Sequence, residues 1–131
     1  MDFEKTTIWT RSVALADECY RLVSRLPPSE LYVLNSQIRR AACSVYANFA
    51  EGWSRESIRE SIHFISMSRG SLSELKAHLL FCEQRNWFTG TELMALHQEI
   101  DELRRILAAV RIKLLKRLET ENQSARREPH F

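Results

Sequence analysis

From Thr7 to Leu26 the apolar residues Trp9, Val13, Ala16, Tyr20 and Val23 recur at alternating intervals of four and three. That spacing stacks side chains along one face of an α-helix. Pro27 and Pro28 end the pattern, because proline offers no amide to an interior turn. A second stripe, Leu31, Leu34, Ile38, Ala42, Val45 and Phe49, follows Ser29, a residue suited to cap a helix start. Gly52 closes it, and is expected to end the helix with a positive φ. Ser57 and Glu60 have the spacing of a capping box and open a third stripe of Ile58, Ile62, Ile65, Leu72, Leu75 and Leu79. Gly70 within it costs on the order of 1 kcal/mol against alanine, which predicts a close backbone approach there. After the joint "NWFTGT", a regular heptad runs from Glu92 through Leu93, Leu96, Ile100, Leu103, Leu107, Val110 and Leu114. The remainder, "NQSARREPHF", carries no stripe, so residues 122–131 are expected to form a flexible tail on a helical domain of residues 1–121.

Four amphipathic helices joined by short connections bury their stripes by alternating direction. The expected fold is all-α: an antiparallel up-down-up-down four-helix bundle. Only three glycines and three prolines in 131 residues agree with long helices rather than a turn-rich sheet. No apolar run approaches the ~18 residues of a membrane span, and the acidic start "MDFEKTTIW" lacks a secretory pattern, so a cytoplasmic location is expected. Cys19, Cys43 and Cys82, an odd number set inside helical patterns, read as reduced apolar fillers.

Polar residues in "QIRRAACSVYANFAEGWSRES" flank the second stripe: Gln37, Ser44, Asn48 and Glu51, with Arg55 beyond the glycine. The facing strip of the third helix offers Ser57, Ser61, Ser68 and Ser71. Buried amides and carboxylates must find hydrogen bonds or cost roughly 1–3 kcal/mol each, so these residues are read as a structural polar lock between two helices. The competing reading makes Asn48, Glu51 and Arg55 a binding or catalytic group.

The segments "QIRRAA", "ANFAEG", Arg55 with Ser57 and Glu60, and "GSLSEL" together resemble the four-helix-bundle proteins encoded in intervening sequences of 23S ribosomal RNA genes. The resemblance spans about Phe3 to Phe88, with the fourth helix matching in pattern only. Tyr46 stands where that family commonly has proline, which implies a straighter second helix here. The resemblance implies a left-handed bundle assembled as a homopentamer, with no established enzymatic activity. Distant relatives are accessory proteins of diversity-generating retroelements that bind a reverse transcriptase and nucleic acid.

No cofactor is expected. Glu60 and His63 have the spacing of half a di-iron site, but no second Glu-x-x-His exists, and His78 with Cys82 supplies only two of the four ligands of a structural zinc. No nucleophile elbow or phosphate-binding glycine loop is present. Arg59 and His63 stand too close for the Arg-to-His spacing of small helical ribonucleases. The net charge of +2 implies nothing by itself, so the electrostatic case rests on clustering. Arg104, Arg105, Arg111, Lys113, Lys116 and Arg117 form a stretch of the fourth helix without an acid, with Arg39 and Arg40 as companions. They are candidates for a phosphate-tracking surface, against the alternative of a solvated face favoured by the helix dipole. Ala108, Ala109, Ile112 and Leu115 lie off the heptad stripe and predict a subunit interface. The expected function is a non-enzymatic oligomeric scaffold for RNA, DNA or an enzyme acting on them. A protein-binding adaptor and a small nuclease are the alternatives.

Overall fold

The structure is a computed structural model describing residues 1–127. Four long helices account for most of it: α1 (Thr7–Val23), α2 (Leu34–Ser54), α3 (Ile58–Gln84) and α4 (Gly90–Arg127), with single 3-10 turns at Phe3–Lys5 and Pro28–Glu30. No strand occurs among the described residues. Thr6 caps α1 by accepting the Trp9 amide at 3.1 Å, and Ser57 caps α3 by accepting the Glu60 amide at 3.3 Å. Thr89 and Glu92 form a reciprocal capping box at the head of α4: the Glu92 amide donates to Thr89 Oγ1 at 3.1 Å, and the Thr89 amide donates to Glu92 Oε2 at 2.8 Å. The joint between α3 and α4 closes as a Schellman turn. Asn86 takes the left-handed φ of 60°, the Asn86 amide reaches the Glu83 carbonyl at 2.9 Å, and the Trp87 amide reaches that of Cys82 at 3.1 Å.

The Thr89 amide, followed by the Arg25 guanidinium, holds the Glu92 carboxyl below its ordinary value of 4.5. A depressed folded value means that this contribution to stability is complete above about pH 4.5 and is lost as pH falls through the folded value. Glu92→Gln is therefore expected to flatten part of the acid limb of melting temperature against pH. Asp101 and Glu102, lowered by Lys76 and Arg105 respectively, keep the rest of that limb.

The core runs along all four helices and contains Leu15, Cys19, Ile38, Val45, Phe49, Leu72, Leu75, Leu79, Leu93, Ile100, Leu103 and Leu107, each almost fully removed from water. Burial pushes the thiols of Cys19 and Cys82 up to about 12 and about 11 respectively, so both remain protonated and unreactive. The α4 heptad packs as the spacing predicts, with Val110 and Leu114 at its half-buried end. In α1 the inward face is instead Ser12, Leu15, Ala16, Cys19, Leu22 and Val23, continued by Leu26. Val13 and Tyr20 are exposed. The predicted stripe gave way because the adjoining face carries more aliphatic volume, while the Tyr20 hydroxyl keeps contact with water and with Cys43 Sγ at 3.5 Å.

Ser29 does not cap α2. Residues after Pro27 form one 3-10 turn, Leu31 is exposed, and α2 begins at Leu34. Asn35 holds that start in place by donating to the Val23 carbonyl at 3.2 Å, at the end of α1, which also accepts the Leu26 amide at 3.1 Å. The helix then runs unbroken through Tyr46.

Two glycines depart from their expected roles. Gly52 lies inside α2, with no positive φ, where a Cβ would stand 3.1 Å from Phe64 Cβ and 3.2 Å from the Ser61 carbonyl. It is the point of close approach between α2 and α3. Gly70 is exposed, and a Cβ there would meet nothing within 4 Å. Gly70→Ala is accordingly expected to raise stability by about 0.5–1 kcal/mol in urea unfolding, because only the backbone entropy changes.

Contacts between α3 and α4 descend one helix as they climb the other: Glu83 with His97 at 2.6 Å, Lys76 with Asp101 at 2.5 Å, and Ser66 with Arg111 at 3.2 Å. The first turn of α3 therefore falls level with about Glu119, and α4 continues beyond it to Arg127 with every side chain exposed. The tail expected from Asn122 is helical over 122–127, where the chain prolongs an established helix at no further nucleation cost. The last part of that tail, 128–131, lies outside the described residues.

Candidate nucleic-acid interface

Four residues of the expected lock share a side of α2, with Arg55 just past its end, and the five differ in burial. Ser44 and Asn48 are half-buried; Gln37, Glu51 and Arg55 are exposed. Their bonds stay within the helix or at its end: Asn48 donates to the Ser44 carbonyl at 2.9 Å, and Arg55 pairs with Glu51 at 2.6 Å, one turn away. The interhelical bond comes from Ser68, fully buried, which donates to the Val45 carbonyl at 2.7 Å. A strip at the shoulder of a close helix pair is squeezed toward water where Gly52 brings the backbones together, leaving space inside for a serine but not for longer polar chains. Arg55 also lies over the Phe64 ring, 4.9 Å from its centroid, so it covers the α2–α3 joint as an apolar plate as much as a charge.

The basic residues divide into two groups. Arg39 donates to Asn35 Oδ1 at 2.7 Å and stacks over Tyr20, while Arg40 is ion-paired with Glu74 and bonded to Gln37. Arg105 pairs with Glu102, Arg104 stands 3.8 Å from Asp101, and Arg111 donates to Ser66 Oγ at 3.2 Å. The acids that neutralise Arg104 and Arg105 sit one turn upstream of the basic stretch. Lys113, Lys116 and Arg117 have no carboxylate partner among the described residues. The candidate cations of α4 without a carboxylate or hydroxyl partner are thus gathered within residues 113–117.

Lys113 and Arg117 border a cleft of about 490 Å³ between the end of α2, the start of α3 and α4. Its apolar part is Ile58, Ile65, Val110 and Leu114; Trp53, Arg55 and Glu56 complete the rim. The cleft exists because α1 has 17 residues and α4 has 38. Arg11 meets Glu99 and α1 begins one turn earlier, at Thr7, so α1 does not cover α4 beyond Leu107. On the outward side of α4, Ile112 and Leu115 are exposed, Ala109 is exposed and Ala108 half-buried.

Among the described residues no three His, Cys, Asp or Glu side chains converge as metal ligands. His63 packs edge-on against Phe64, and His78 faces Glu74 at 3.4 Å. Sequence reasoning passed over the His97–Glu83 bridge, since two residues fourteen apart on different helices leave no local spacing to read. The Thr89-Gly-Thr-Glu92 box was readable as a helix start.

The molecule is therefore a four-helix protein with a basic, partly uncovered cleft at one end. Residues 4–109 match the model of the 23S rRNA-intervening sequence proteins, and the chain belongs to that family. A solved structure with the same fold is a protein of unknown function from the S23 ribosomal protein family of Bacteroides thetaiotaomicron. It superposes with a TM-score of 0.74 at 18% identity, over 79% of this chain and 97% of that one. No curated protein matches the chain. None of its described helices is long and apolar enough to cross a membrane.

Proposed function

We propose that the chain is a non-enzymatic, self-assembling up-down-up-down bundle of the cytoplasm that holds nucleic acid, RNA in the first instance, on α4 at residues 113–117. The observation that carries this reading is the trio Lys113, Lys116 and Arg117, unpaired where every other candidate cation on α4 is already engaged by an acid or a hydroxyl. Desolvating an engaged arginine to bind phosphate gains little, because its ion pair is lost; a free cation releases counterions from the polymer instead. Ile112 and Leu115 support self-assembly, as adjacent exposed aliphatics on one helix have no partner within the chain. In a closed ring of copies, the homopentamer included, the cationic trio repeats and its affinity multiplies through avidity. An enzyme working on the same polymer, such as a reverse transcriptase, is the protein partner consistent with such a scaffold.

The test is anisotropy of a fluorescent RNA titrated with the full chain over a range of salt concentrations, alongside sedimentation of the protein alone. Affinity that falls steeply with salt is expected. Binding that is absent at low salt, or indifferent to it, removes the nucleic-acid reading and leaves a protein-binding adaptor. A 15.4 kDa particle that stays single at working concentration removes the scaffold.

A further inference from the structure

The cleft beside Lys113 and Arg117 has chemistry that phosphate tracking alone does not use. Trp53 on its rim is 44% exposed, an unusual position for the largest apolar side chain. Its ring is held: Nε1 donates to the Met1 carbonyl at 2.8 Å, and Phe49 backs it with centroids 5.8 Å apart. A tryptophan fixed along one edge and left open elsewhere loses little entropy when a flat group lies against it. Ile58, Ile65, Val110 and Leu114 offer apolar surface next to it, and the two unpaired cations stand one helical turn apart on the α4 wall. On the other side of Trp53 a second hollow is lined by Asp2 and Glu4, so an anion is directed to the α4 side.

We infer that this cleft is a binding site for a single-stranded nucleic acid, taking one unstacked base against Trp53 with its phosphate between Lys113 and Arg117. The inference rests on the nucleic-acid reading above and adds the strandedness and the site. A duplex presents phosphates and sugars outward and cannot satisfy an apolar recess, whereas an unpaired base supplies a flat, weakly polar face to it. A space of about 490 Å³ admits one nucleotide and excludes a duplex end. Glu56 is the one acid among the lining residues and opposes the phosphate.

The experiment measures anisotropy of a short labelled oligouridylate, and quenching of tryptophan emission, with the full chain at low salt. Trp53→Ala is expected to weaken binding by on the order of ten- to a hundredfold, with Trp53→Phe retaining most of the affinity. Glu56→Gln is expected to tighten binding, and a matched RNA duplex to bind more weakly than the single strand. Lys113→Gln, at an exposed site that leaves folding intact, provides a second variant and is expected to weaken binding. If the oligonucleotide binds but Trp53→Ala and Lys113→Gln both leave affinity unchanged, the cleft assignment is overturned while the nucleic-acid reading stands. Absence of binding by the wild-type chain at low salt overturns both. Polyglutamate that displaces the oligonucleotide at equal charge overturns the base-stacking assignment and points to an acidic protein segment.

Discussion

Gly52→Leu is expected to lower the free energy of unfolding by about 1–3 kcal/mol, the usual cost of forcing extra methylenes into a packed contact. Two effects oppose each other at this position. Any side chain gains up to about 1 kcal/mol over glycine from restricting the unfolded backbone. Against that, a new Cβ meets Phe64 Cβ at 3.1 Å and the Ser61 carbonyl at 3.2 Å, atoms fixed by the α3 backbone that cannot rotate aside. For alanine the two come close to balance. For leucine the additional atoms must fit into this close approach of α2 to α3, against Phe64, Ser61 and Ile65, and the contact cost wins. Urea unfolding reads the difference directly, with Gly70→Ala as the partner in which only the backbone gain operates. Equal stability of Gly52→Leu and the wild type would mean that α2 and α3 do not pack at this distance.

The second large effect is electrostatic. Each cation that neutralises a phosphate contributes about 0.7 to the slope of log affinity against log salt for a single strand. Reversing Lys113, Lys116 and Arg117 to glutamate is therefore expected to reduce that slope by about two units per bound chain, and to abolish measurable binding at moderate salt. Reversal of Arg104 and Arg105 is expected to change the slope little, because Asp101 and Glu102 already hold their charge. Their loss shows in stability instead, since glutamates there face those acids. The expected contrast between the two sets would place the polymer at residues 113–117. An equal loss of slope from both sets would spread it over the whole helix.

How legible the molecule was from its residues depends on whether a signal was local. The α4 stripe was readable because seven aliphatic side chains repeat on one period and the opposite face is charged. The α1 face was not, because Trp9, Val13 and Tyr20 form one stripe while Leu15, Cys19, Leu22 and Leu26 form another more than a third of a turn away. Which stripe turns inward is decided by what α2 and α4 present to it. The glycines failed for the same reason: a helix-ending φ and a helix-crossing contact both favour glycine, and only the partner helix distinguishes them. The candidate site shows both cases. Run length revealed the cations, and their i, i+3 and i, i+4 relation to Asp101 and Glu102 made the pairing of Arg104 and Arg105 available to the same reading. The cleft was hidden, since it arises from the mismatch in length between α1 and α4 and belongs to no segment of the chain.

That mismatch gives α4 two thermodynamic regimes in one continuous rod. Up to Leu107 its turns melt only when the whole core does; past Glu119 nothing but neighbouring turns supports them. A ligand gripping the intervening stretch at Lys113–Arg117 sits at the border between the two, so occupancy would be felt as stiffening of the outer arm. On the proposed function, a strand held there would lower the fraying of the outer arm.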